Sequence, residues 1–447
     1  MRCLAVAALA ALSPFALMAA AWAGEIGDER AMPDHLPPHE IVQRDLAAGV
    51  TSLESLLEFG RTLFSAVWTQ ADGGGRPLTK GDGTPLTDPT EPLIFPRNFN
   101  RVSGPDANGC AGCHNQPFGI PGGGGDIVTN VFVLGQRFDF ATFDPADPVA
   151  KRGTIDEDGR STTLQTIGNS RATLGMFGSG YVELLAREIT ADLQAIRDSL
   201  LPGRSAALVS KGIDFGTLRR PRGGNWNTSR VRGLPPPSLV TTGPSDPPTL
   251  IIRPFHQSGA VVSLREFTTN AFNHHHGMQA VERFGAGDFD GDGVERELTT
   301  GDITAITLYQ AGLSVPGRLI PDDRAVEDAI LLGEYLFHEK FEDGVALGCN
   351  GCHIPQLLLR RAVFDEPGRY NPHANLNASD VRPIALSLDD YRLPPPRLTP
   401  AEDGSVLVPV FTDFRLHRLT PYFPGDIESE PLNQMARPGT SEFSNGN

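Results

Sequence analysis

Cysteine is scarce in this chain, with five in 447 residues, and aromatic residues make up only 7%. So few thiols exclude the disulfide-stapled scaffold of small secreted domains. After its first two dozen residues the chain also lacks any segment approaching the roughly 20 apolar residues of a membrane helix, which excludes a span there. Positive charge is short as well. With 38 Lys and Arg against 54 Asp and Glu the formal charge is −16, which disfavours nucleic acid or an anionic membrane as a partner and suits one with a basic face. Glycine (49) and proline (38) are plentiful, so the expected class is mainly α, a helical framework joined by long ordered loops.

Residues 1–23 carry one positive charge, Arg2, then an Ala/Leu-rich apolar run and the ending Ala21-Trp22-Ala23. That is the pattern of a secretory signal with an A-x-A cleavage site, so the mature chain is expected to begin near Gly24 and to work in the periplasm or otherwise outside the cytoplasm. Cys3 leaves with the signal. The other four cysteines stand in two copies of one motif, Cys110-Ala111-Gly112-Cys113-His114 and Cys349-Asn350-Gly351-Cys352-His353. C-x-x-C-H is the attachment signature of c-type haem: two thiols add across the porphyrin vinyl groups, and the imidazole that follows is placed under the iron as proximal ligand. A thioredoxin-like pair or half of a zinc site accounts for one C-x-x-C but not for a His in register behind both. Two covalent haems are expected, with no cysteine spare for a disulfide. The simplest division is two cytochrome c-like haem lobes, 24–248 and 249–447, parted at the proline-rich stretch from Leu234 to Pro248.

Along the chain, Leu53, Leu56, Leu57, Gly60, Leu63, Phe64 and Val67 recur at helical spacing, and the G-x-x-L-F they contain returns as Gly333-x-x-Leu336-Phe337 in a second amphipathic helix from Ala325 to Phe337. Each such helix precedes a C-x-x-C-H, a weak internal repeat. The glycine run 122–125 reads as a phosphate cradle or as close approach of backbone to porphyrin. Tyr181 to Leu200 is a further helix. From Lys211 to Arg232 the chain turns locally basic, either a solvated surface or a place for propionates or a partner. Ser263-x-x-Glu266 is a capping box, opening a helix expected to run through Phe267, Ala271, His275 and Met278 within a helical segment spanning 263–313. His274, His275, His276 and Met278 are candidate sixth ligands or a cluster of surface imidazoles. Asp288, Asp290 and Asp292 form a D-x-D-x-D ladder of the calcium-loop type, with Thr299 where a bidentate Glu is usual; the alternative is an acidic turn ahead of a helix capped by Thr299 and Asp302.

With these motifs the chain resembles the di-haem cytochrome c peroxidase superfamily, which includes bacterial cytochrome c peroxidases and the MauG-type enzymes, and most of all its thiol-oxidoreductase-like di-haem oxidoreductase branch. The resemblance is carried by Gly104 through Phe118, the two G-x-x-L-F helices, Thr300 through Pro316, and Val410 through His417. It implies two mainly helical cytochrome c lobes, one haem for electron entry and one meeting peroxide, often with calcium between them. It implies an electron donor such as a small cytochrome or cupredoxin. No His follows His114 before His256, where relatives carry a displaceable ligand. The sixth ligand of the second haem is open between His417, Met435 and the 274–278 group. Glu183 is the candidate for the catalytic Glu of the family, or else an i,i+4 partner of Arg187. Relatives usually continue beyond the position of Asn447, so the recorded end is expected to be short. The expected function is a peroxidase-like oxidoreductase, the alternative a non-catalytic di-haem electron-transfer cytochrome.

Overall fold

The computed structural model describes residues 30–74 (except 33), 109–115, 121–123, 174–255, 259, 261–288, 293–317, 320–338 and 348–417, with short strands at 131–133, 154–155, 161–162 and 169–171. The signal segment 1–23, Asp290, Asp292 and Met435 lie outside the described residues, as does the side chain of His274.

The helices form where apolar periodicity and caps agree. A short helix, α1 (His39–Ala47), leads to α2 (Leu53–Ser65), which starts at Ser52 because that hydroxyl accepts the Ser55 amide at 3.0 Å, one of the donors a helix start leaves without a partner. Next in sequence come α3 (Cys110–Cys113), α4 (Ser179–Ser199), α5 (Leu264–Ala271), α6 (Val281–Phe284) and α7 (Thr300–Ala311). The predicted cap of α7 is present in full: the Thr299 hydroxyl accepts the Asp302 amide and the Asp302 carboxylate accepts that of Thr299. Helix α7 is buried on nearly every side, as a core helix must be if it lacks a polar face. Helix α2 lies against it so closely that a Cβ on Gly60 would stand 2.1 Å from the Ala305 carbonyl oxygen, and Leu63 and Phe64 fill the space beside this contact. Burying side chains of this size is worth about 1.5–3 kcal/mol each.

The last helices are α8 (Arg324–His338) and α9 (Cys349–Cys352). Strands occupy the rest. β1 (Val131–Val133) pairs with β4 (Asn169–Arg171), and β2 (Thr154–Ile155) with β3 (Ser161–Thr162). β5 (Arg204–Ser210), β6 (Ile213–Arg220) and β7 (Asn227–Val231) make an antiparallel sheet in that order, packed by β5 on α4. β8 (Leu357–Leu359) pairs with β11 (Val406–Val408), and β9 (Val363–Glu366) with β10 (Ile384–Ser387).

The expectation of a mainly α chain in two cytochrome c-like lobes is corrected by this architecture. Only 36% of the described residues are helical and 15% lie in strands. One hydrophobic core runs through α2, α4, α5 and α7 and on to β8, β9 and β11, taking residues from both sides of the proline-rich stretch. Ser238 within that stretch is buried and bonded to its neighbours: its amide donates to Pro235, its hydroxyl to Ile251, and its carbonyl accepts from Leu250. Composition could not reveal this, because glycine and proline mark the ends of short strands as readily as the loops between helices. Among the described residues no helix is long and apolar enough to cross a membrane.

Arg265 is fully buried and ties four elements together. From α5 its guanidinium reaches Glu282 on α6, Glu366 at the end of β9 (2.5 Å) and Thr304 on α7 (3.1 Å). Burial pushes the Glu366 carboxyl up to about 7 against the opposing pull of Arg265.

Candidate functional site

The two C-x-x-C-H motifs are built alike. Each Cys-x-x-Cys is a single helical turn, and the following His leaves the helix with similar backbone angles, φ −97° and ψ 75° at His114, φ −88° and ψ 70° at His353. The His amide donates back to the carbonyl of the first Cys, at 2.9 Å to Cys110 and 2.8 Å to Cys349. In both, the phenylalanine of the preceding G-x-x-L-F helix stands over the imidazole, Phe64 at 6.2 Å from His114 and Phe337 at 6.4 Å from His353 between ring centroids. Each imidazole meets a backbone carbonyl through Nδ1, His114 that of Leu174 (3.0 Å) and His353 that of Phe411 (3.1 Å), and the backbone of Gly123 also bonds to His114. A carbonyl can only accept, so Nδ1 carries the proton and Nε2 the lone pair. That is how proteins fix an imidazole meant for a metal.

Around the first motif the chain folds into an open cleft whose space, solvent mouth included, is about 510 Å³. Cys110, Cys113 and His114 line it, with Phe64, Phe267 and Phe272 supplying apolar wall. Burial pushes the Cys110 thiol up to about 12, with Cys113 adding to the effect, and lowers His114 to about 4 against the pull of its Leu174 bond. All four motif cysteines are free thiols.

The three histidines of 274–276 do not follow the expected helical pitch. Helix α5 ends at Ala271, and Phe272–His276 form a π turn closed by Gly277 in the left-handed region (φ 71°), where glycine has no Cβ to clash. The wider turn brings His275 and His276 to the cleft lining together, with His276 Nε2 3.6 Å from Cys110 Sγ. Met278 falls beyond the turn, fully buried in the core, and is not among the lining residues. Sequence reasoning missed Gln310 on α7. This buried side chain lines the same cleft, gives Nε2 to Thr268 Oγ1 (2.7 Å) and to the Ile306 carbonyl (3.2 Å), and among the described residues leaves Oε1 without a partner.

Glu183 is not among the residues that line the cleft. It is buried, and its carboxylate accepts from Arg187 (2.5 and 2.9 Å) and from the Leu264 amide (2.7 Å), so the i,i+4 partnership holds in the interior rather than on the surface. At the second motif, His417 turns Nδ1 toward Cys352 Sγ (3.9 Å) while its Nε2 faces both Asp413 oxygens (3.0 and 3.1 Å). Of the acidic ladder, Asp288 is exposed and accepts the Gly293 amide. Thr299, at the position of the usual bidentate Glu, spends its hydroxyl on the α7 cap and the Leu36 carbonyl, and buried Glu297 accepts the Gln279 amide.

The residues at the first motif fit a covalent haem on three counts: free paired thiols, an imidazole held by Nδ1, and an apolar cleft that contains a buried acceptor without a partner. At the second motif the fit rests on the thiols and on the same imidazole geometry. No family model, no curated protein and no solved structure matches the chain.

Proposed function

We propose that this chain is an exported di-haem c-type oxidoreductase that acts on peroxide, with electrons entering at the motif of His353 and peroxide met at that of His114. The resemblance to the di-haem peroxidase superfamily belongs to this proposal. The observation that carries it is the repeated construction, in which two Cys-x-x-Cys-His turns each present two free thiols and an imidazole whose Nδ1 is engaged by a carbonyl. Bound at these positions, haem would supply an iron that exchanges single electrons and takes up peroxide. Cys110, Cys113, Cys349 and Cys352 would hold it through thioethers, with His114 and His353 as proximal imidazoles. Phe64, Phe267 and Phe272 give the cleft an apolar wall. His275 and His276 bring two imidazoles to it, which could bind a metal or pass a proton. Gln310 Oε1 can accept a hydrogen bond from an oxygen held there. His417, backed by Asp413, is the candidate beside the second motif.

The test uses chain exported from a host that matures c-type cytochromes. Haem counted after conversion to pyridine haemochrome should give two per chain, and Cys110→Ala with Cys113→Ala should leave one. The same variant should lose peroxide-dependent oxidation of an added donor. A wild type without covalent haem sinks the proposal. Two low-spin irons unreactive to peroxide in the oxidised and the half-reduced protein would leave the electron-transfer cytochrome instead.

A further inference from the structure

Residues 204–232 hold seven cationic side chains against one acid, Asp214, in a chain of formal charge −16. Strand pairing decides where they stand. Arg219 on β6 lies across from Ser205 on β5 and Asn227 on β7, and Arg230 on β7 lies across from Thr217, two residues along β6 from Arg219. Residues two apart on a strand share a face. Thr217 and Arg219 thus share the outer side of the sheet, and Arg230 stands opposite Thr217 on that side, beyond the bulge that separates it from Asn227. Arg219 and Arg230 are exposed, as are Arg204 and Arg222 at one end of the sheet and Arg232 just past β7. Among the described residues none of these five guanidinium groups takes part in an ion pair or a side-chain hydrogen bond. The other two cations of the stretch are committed. Lys211 holds Glu188 and the Leu358 carbonyl; Arg220 holds the Leu200 carbonyl and lies over the Trp226 ring. A chain with carboxylates to spare thus keeps five like charges together on one small sheet without neutralising them.

The sheet also adjoins the segment that carries the second motif's partners. Arg415 donates to the Asp214 carbonyl (3.1 Å), and the Leu416 amide donates to the Gly233 carbonyl (3.0 Å). In that segment Phe411 receives His353 and His417 stands beside Cys352. Leu358 and Leu407, opposite each other on β8 and β11, are 49% and 54% exposed, and Phe411 is 51% exposed.

We propose that the outer face of β5–β6–β7 is a docking surface for a protein partner that presents a cluster of carboxylates. Arginine forks take carboxylates in pairs, and polar Ser205, Thr217 and Asn227 between them offer further hydrogen bonds. An extended polyanion would meet the acidic remainder of the molecule and be repelled, whereas a local acidic patch meets the sheet alone. The partner's docking face is then acidic, not basic as net charge implied. Delivery of electrons from it to the Cys349–His353 motif rests on the proposed function; the docking does not.

The probe is a small acidic cupredoxin, titrated onto the full chain at low ionic strength. Saturable binding that weakens with added salt is expected, and Arg219→Glu with Arg230→Glu should weaken it at least about tenfold, or about 1.4 kcal/mol. Arg219→Gln with Arg230→Gln should fall between, with far-ultraviolet circular dichroism unchanged in both. No saturable binding, or equal binding by the charge-reversed variant, overturns the proposal. So does arginine-dependent binding of heparin or anionic vesicles without binding of the acidic protein. Haem content and peroxide turnover measured on the same samples keep the two readings apart, because their loss with docking intact sinks only the proposed function.

Discussion

Gly60→Val should leave little folded protein, whereas Gly333→Ala should leave the fold intact and stabilise it slightly. The two glycines hold the same place in the repeated G-x-x-L-F helices, so composition alone would treat them alike. Their surroundings differ. A Cβ on Gly60 meets the Ala305 carbonyl oxygen at 2.1 Å and the Tyr309 side chain at 2.9 Å, and backbone on a buried helix cannot step aside without parting α2 from α7. That separation would also open the packing of Leu63 and Phe64, so a loss of about 3 kcal/mol or more is expected. Nothing described lies within 4 Å of a Cβ on Gly333, and α8 has no buried residue. There the helix preference for alanine over glycine, about 0.8–1.0 kcal/mol, should show undiminished. Urea unfolding of both variants beside the parent measures the contrast, and equal losses would remove the packing asymmetry.

Arg265→Met should cost about 3–5 kcal/mol, since it leaves Glu282 and Glu366 buried with their shared cation gone. Adding Glu282→Gln and Glu366→Gln should return much of that loss, because the stranded charges go with it. The parent carries a pH signature of the same cluster. Burial raises the Glu366 carboxyl from 4.5 to about 7, so the folded chain binds this proton more tightly than the unfolded one. Its contribution is present in full below pH 4.5 and is lost as pH rises through 7. Glu366→Gln should therefore gain on the parent across that window, by on the order of 2 kcal/mol. Unfolding free energies taken at steps from pH 4.5 to 8 give the comparison, and parallel curves would show that Glu366 does not titrate there.

The helices and the two Cys-x-x-Cys-His turns were legible where one local rule suffices. Apolar spacing located α2, α4 and α8 to within two residues, and the Thr299 cap followed from a four-residue pattern. What escaped was decided by residues far apart or by a break in period. Arg265 reads as part of a capping box, and nothing local ties it to Glu282 or Glu366. The strands at 204–231 show only as a basic run, because bulges after Ala207 and Thr217 interrupt the alternation that would have marked them. The π turn shifts the phase of the helix, so the 3.6-residue wheel placed Met278 beside the histidines when it belongs to the core. Gln310 had no signal, since a polar residue on an apolar helix acquires meaning only when a cleft opens beside it.

The carbonyls that receive His114 and His353 come from Leu174 and Phe411, 60 and 58 residues downstream. A motif in the unfolded chain therefore has its thiols at once but not its oriented imidazole, which waits for a long loop to close at an entropic cost that varies little between loops of such similar length. Time thus separates two events that look simultaneous in the finished molecule: the cysteines are ready for chemistry while the chain is still unfolded, and each histidine is locked only when its distant strand of polypeptide arrives. Any reagent for the thiols would meet the motif in its early, accessible form, and completion of the fold would then close the ring's second nitrogen behind it.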